Sequence, residues 1–164
     1  MRLRLAIELV PSPVWYINLR RAMPRSKWDR LRHEVYRAAG KRCQACGAEG
    51  RLNCHETWEY DDDAGVVRLK GFRALCWNCH AVCHLGAWSV GVMKGPADFD
   101  PAAHWCRING LDMAAWRRHE AAAWATWDKR SERQWSVDLG RWADLVPPER
   151  RRGHWLRPED EWPG

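Results

Sequence analysis

Residues 75–84 read LCWNCHAVCH and hold three cysteines, Cys76, Cys79 and Cys83, and two histidines, His80 and His84. A tetrahedral metal takes four ligands, and a tight Cys-x2-Cys turn supplies two of them. The other two stand upstream in CQAC, residues 43–46. Two such pairs, 29 residues apart, can each chelate through a turn and together close four thiolates around Zn²⁺. Cys43, Cys46, Cys76 and Cys79 are therefore the expected ligands of a structural zinc. His80 and His84 remain, four apart and on one side of a short helix. They can share a second divalent metal, Mg²⁺ or another, in a site left open to water or a phosphate oxygen.

Between the two pairs, LNCHETWEY, DDDAG and VVRLKGFRAL predict a β-hairpin with an Asp-rich turn closed by Gly65. Alternation along the first strand puts His55, Thr57 and Glu59 on one face and Cys54, Glu56, Trp58 and Tyr60 on the other. An imidazole at His55, facing a metal on His80 and His84, could take a proton from an attacking water. That is the chemistry of a one-metal phosphodiesterase.

Upstream, Ser26 reads as the cap of a helix in which Trp28, Leu31, Val35, Ala38 and Ala39 share one face, with Gly40 as the stop. The net charge of +6 is uneven: residues 1–42 hold eleven Arg or Lys and three acids, whereas residues 43–80 hold four bases and six acids. Basic side chains on and after this helix, Lys27, Arg30, Arg37, Lys41 and Arg42, are the candidate contacts to a polyanion backbone.

The stretch Trp28 to Gly86, with CQAC, CHETWEYDD and GFRALCWNCHAVCHLG, resembles the HNH or ββα-metal endonucleases. The resemblance implies a zinc knuckle framing a hairpin and a helix, His55 as general base, and His80 and His84 as ligands of the catalytic metal. Two positions depart from the pattern. Cys54 stands where the family often has a further ligand, and Gly71 stands where it has its middle Asn. Glu56 or Glu59 is then the candidate companion of His55, or His55 itself binds metal with a glutamate acting as base. DNA is the implied partner, with RNA left open. A zinc-dependent binding module without chemistry, or a subunit of a larger nucleic-acid complex, is the alternative.

The expected class is α+β: a small ββα-metal core with a four-cysteine zinc site, flanked by N- and C-terminal helices. Composition divides the chain into a basic segment at 1–25, the core at 26–90, a Trp-rich helical extension at 91–146 and a Pro/Arg-rich tail at 147–164. In the extension, Asp100-Pro101 and Asn109-Gly110 bound one helix. A second runs from about Asp112 to Arg133 with Met113, Trp116, Trp124 and Trp127 on one stripe, expected to face the core. The thirteen Trp read as packing residues. Cys54, Cys83 and Cys106 read as buried free thiols, and His33, His104, His119 and His154 carry no functional expectation. An opening without a cleavage signal, the lack of a long apolar run and the clustered cysteines point to a cytoplasmic protein with no membrane partner.

Overall fold

The computed structural model describes residues 3–15 and 17–151. It is α+β, with a three-stranded sheet and six α-helices among the described residues. At its centre is the expected hairpin, β1 (Leu52–Asp61) and β2 (Val66–Cys76), rich in the aromatic and β-branched residues that suit a pleated surface. Asp61 Oδ1 accepts from Ala64 N at 3.0 Å, and Gly65, at φ +68°, donates its N–H to the Asp61 carbonyl at 2.9 Å. Pairing runs from Leu52 opposite Cys76 to Asp61 opposite Val66, with one break where Lys70 of β2 is skipped. The extra residue lies on β2, so the alternation of β1 continues and Cys54, Trp58 and Tyr60 all pack into the same core. A third strand, β3 (Ser136–Asp138), pairs parallel to the start of β2.

Helix α1 (Leu19–Ala22) is capped by Asn18 and leads into α2 (Arg25–Ala38). Ser26 does not cap α2. The helix begins directly after Pro24, whose ψ of 138° is the last extended value, and Ser26 falls within the first turn. Trp28 is the buried residue of α2, and Gly40, at φ +62°, follows its end. After β2 come α3 (Trp77–Cys83) and α4 (Leu85–Ser89), separated by His84. Helix α5 (Pro101–Asn109) has the expected ends: Asp100 Oδ1 accepts from Ala103 N at 3.0 Å, and Gly110 takes the left-handed conformation. In α6 (Met113–Ser131) only Trp116 of the predicted stripe is buried; Trp124 and Trp127 are half-buried and Met113 is 44% exposed. The amino-terminal segment reaches this helix locally, with Trp127 Nε1 donating to the Val10 carbonyl.

Two cores flank the hairpin. The first gathers Val14, Leu19, Met23, Trp28, Val67, Leu69, Trp135, Val137, Leu139 and Val146. The second gathers Leu5, Ile7, Leu75, Val82, Leu85, Trp105 and Trp116 around Cys43, Cys79 and Cys83. The amino-terminal segment, expected from its charge to be a basic flank, supplies apolar residues to both. It is pinned along its length: Asn109 Oδ1 accepts from Arg4 N and Leu5 N, His119 Nε2 accepts from Ile7 N, and Glu8 N donates to the Cys83 carbonyl. In the predicted tail, Pro148–Arg150 forms a single 3-10 turn and Arg151 donates to the Val146 and Ala143 carbonyls; residues 152–164 lie outside the described residues. No helix of the described residues is long and apolar enough to cross a membrane.

Candidate metal centres and the groove beside them

The four cysteines of the two Cys-x2-Cys pairs converge. Cys43 and Cys46 lie in a tight turn in which Gly47 N donates to the Cys43 carbonyl at 2.8 Å and Cys43 N donates to the Ala48 carbonyl at 2.9 Å. Cys76 ends β2 and Cys79 lies in the first turn of α3. Their sulfurs all fall within 4.8 Å of one another. Hydrogen bonds from Cys76 and Cys79 hold the Cys43 thiol far below its ordinary range. The same contact with Cys43 pushes Cys76 up to about 11, and Cys43 and Cys76 raise Cys79 as well. Sulfurs packed this closely carry only part of the negative charge they could hold, and a divalent cation removes that restraint. The donor set therefore fits a metal ion such as zinc.

A second cluster adjoins α3 beside the first. His55 of β1, His80 of α3 and His84 at the α3–α4 junction bring one ring nitrogen each within 4.8 Å of the others. His55 Nδ1 lies 3.1 Å from His84 Nε2, and the His80 and His84 rings are 4.6 Å apart, centre to centre. Burial, with the neighbouring His84 and His55, drives His80 down to about 2. Burial and His55 drive His84 down to about 4. Both rings are therefore neutral at physiological pH and offer lone pairs, as metal ligands must.

The carboxylate that hydrogen-bonds His55 is neither glutamate of β1. It is Glu8, whose Oε2 lies 2.9 Å from His55 Nε2. Burial alone would raise Glu8, but the hydrogen bond and charge of His55, with Arg73 nearby, bring it below the usual carboxylate range. Ionised Glu8 only accepts, so His55 carries a proton on Nε2, and in the neutral ring Nδ1 is the lone pair facing His84. The expectation for Glu56 and Glu59 needs correction. Glu56 points to the α1 face, where it accepts from Leu19 N at 3.1 Å and Trp58 Nε1 at 3.2 Å. Glu59 is exposed and pairs with Lys70 at 3.5 Å. Cys54 shares the Glu56 face, where burial and the Glu56 charge push its thiol up to about 12, so it stays protonated and away from the three histidines.

The histidines border a groove of about 1490 Å³ that runs between the amino-terminal segment, α2 and α6. Arg20, Arg25, Arg32, Arg51 and Arg150 also line it. The five basic residues expected at a nucleic-acid surface lie outside this groove. Arg37 and Lys41 border a smaller concavity of about 370 Å³ that shares Tyr36 and Leu52 with it. Lys27 Nζ donates to the Asp144 carbonyl, Arg42 pairs with Glu49, and Arg30 is exposed. The helix period identifies an exposed face but not which exposed face turns toward the site. Glu8 and the groove arginines are not legible in the sequence because only tertiary packing brings them to this groove.

Comparison with protein-family models, with curated proteins and with solved structures finds no match for this chain.

Proposed function

We propose that this chain is a metal-dependent nuclease of the HNH type that hydrolyses phosphodiester bonds of DNA, with a structural zinc on Cys43, Cys46, Cys76 and Cys79. The observation that carries the proposal is the set of three imidazoles, His55, His80 and His84, converging beside an arginine-lined groove. In this proposal all three hold the divalent ion. His55 is 2% exposed and has both ring nitrogens engaged, which suits a ligand better than a base that must meet water. A bound divalent ion there would polarise the phosphoryl oxygen and acidify water.

The chain's own residues supply the rest. Glu8 orients His55 and fixes its tautomer. Its side chain is 33% exposed and ionised, so its free oxygen is the acceptor for the proton of an attacking water. Arg20, Arg25 and Arg51 border the same groove, and in this proposal they contact the backbone phosphates. Arg37 and Lys41 extend that basic track.

Supercoiled-plasmid cleavage with Mg²⁺, Mn²⁺ or EDTA tests the activity. The expected result is nicking that needs the divalent ion and disappears in His80→Ala and His84→Ala. His55→Ala should lose the second metal together with activity. Retention of that metal with loss of cleavage would return His55 to the role of base. One observation favours a second reading, a DNA-binding module without chemistry: Cys54, at the position where the family often has a ligand, faces away from the trio. Under that reading the zinc-loaded protein binds DNA but cuts with none of these ions.

A further inference from the structure

On α5, His104 touches the four-sulfur cluster and Arg107 backs His104, and neither takes part in the proposed reaction. His104 is 5% exposed; its Nε2 lies 3.2 Å from Cys79 Sγ and its Nδ1 lies 2.7 Å from an Arg107 guanidinium nitrogen. Chemistry sets the polarity of this chain. A guanidinium only donates, so His104 Nδ1 must present a lone pair to Arg107. The ring then carries its proton on Nε2, and that N–H donates to the Cys79 sulfur. The chain ends on the Cys79 sulfur as its acceptor.

We propose that His104 and Arg107 are positioning residues for a zinc ion held by Cys43, Cys46, Cys76 and Cys79, with His104 Nε2–H donating to the Cys79 sulfur. The proposal rests on the four cysteines holding zinc and is independent of any cleavage activity. Four thiolates around one dication leave a net negative centre that needs hydrogen-bond donors. Cys46 and Cys76 are half-exposed and meet water, whereas Cys79 is 0% exposed and must be served by protein. His104 is the side chain that does so. Its place on α5 is held by the Asp100 cap and by the Phe99 ring 5.8 Å away. The helical extension thereby becomes part of the metal site.

The test uses the full chain as wild type, His104→Leu, His104→Gln and Arg107→Met. Zinc affinity is measured by competition with a chromophoric chelator, and the absorption spectrum is recorded after Co²⁺ substitution. His104→Leu is expected to weaken zinc binding about 10- to 100-fold and to move the thiolate-to-cobalt charge-transfer band to lower energy. His104→Gln, whose amide N–H also donates, should recover most of both. Arg107 is exposed, so Arg107→Met leaves the fold intact and should give a smaller change in the same direction. Equal losses in the Leu and Gln variants with an unmoved charge-transfer band would make the contact mere packing and overturn the proposal. Unchanged affinity and spectrum in His104→Leu would overturn it as well. Failure of the wild type to give a tetrahedral cobalt–thiolate spectrum would remove the zinc site itself, before any variant is compared.

Discussion

Two carboxylates near His55 have opposite characters, and the difference lies in what each touches. Glu8 is ionised because His55 and Arg73 outweigh its desolvation. Glu56 receives two N–H donors but no cation in contact, and burial still raises it to about 6. The Glu8→Gln variant keeps an acceptor for His55 and loses the charge. Under the proposed function it should retain the second metal and lose about 10²- to 10⁴-fold in cleavage rate. Glu8→Ala should in addition weaken that metal about 10- to 100-fold. Metal analysis alongside plasmid nicking separates the two variants; full activity in Glu8→Gln would remove Glu8 as proton acceptor. For Glu56 the linkage runs the other way from a salt-bridged carboxylate. A folded-state value raised from 4.5 to about 6 gives stability that is fully present below 4.5 and is lost as pH rises through 6. The shift corresponds to about 2 kcal/mol. Urea unfolding of wild type and Glu56→Gln at pH 4.5 and pH 7 should show the wild type losing about that much relative to the variant; a pH-independent difference would contradict it.

At the scale of elements, the hairpin turn is the best place to test how strongly local chemistry directs the fold. Gly65 sits at φ +68°, and a Cβ there would lie 2.7 Å from a guanidinium nitrogen of Arg133. The arginine can swing aside, but the left-handed backbone remains costly for any residue with a Cβ, at about 1–2 kcal/mol. Gly65→Ala should therefore lower Tm by about 2–8 °C for a domain of this size, with the hairpin retained. An unchanged Tm would mean that the turn relaxes to another type. Elements with this kind of local determinant were legible in the sequence: the hairpin, both Cys-x2-Cys turns, and the Asp100 and Gly110 ends of α5. What failed was non-local. β3 has three residues with Val137 alone buried, too short for alternation to show, and it exists because β2 offers an edge. Glu8 stands 47 residues from His55 and reaches it because Asn109, His119 and the Cys83 carbonyl hold the amino-terminal segment across α3, α5 and α6. Likewise, the apolar stripe of α6 faces that segment over part of its length, which is why Met113 is exposed.

For the molecule as a whole, α3 contributes to two candidate metal sites of opposite chemistry. Cys79 and His80 are neighbours in sequence, yet Cys79 belongs to the four-sulfur cluster and His80 to the three-imidazole cluster. The sulfur cluster lies inside the second core, among Leu75, Val82 and Trp105, whereas the imidazoles border the groove. Metal removal should therefore act unequally. A weak chelator should empty the histidine site and leave the fold intact. Stripping the cysteine site removes a cross-link between the segment after α2 and the start of α3, and should loosen the second core. The wild type is expected to hold two divalent ions per chain, and His80→Ala with His84→Ala to hold one without loss of Tm. Cys43→Ser should bind at most one ion weakly, with a lower Tm and a diminished near-ultraviolet signal from Trp105 and Trp116. Acid should lower the stability of the wild type as well, since His80 and His84 stay neutral when folded but gain protons on unfolding as pH falls below about 6.5. Elemental analysis of each variant, paired with thermal melts, reads out both sites. One ion in the wild type, unchanged by the histidine substitutions, would leave the trio as packed imidazoles and remove the structural basis for cleavage.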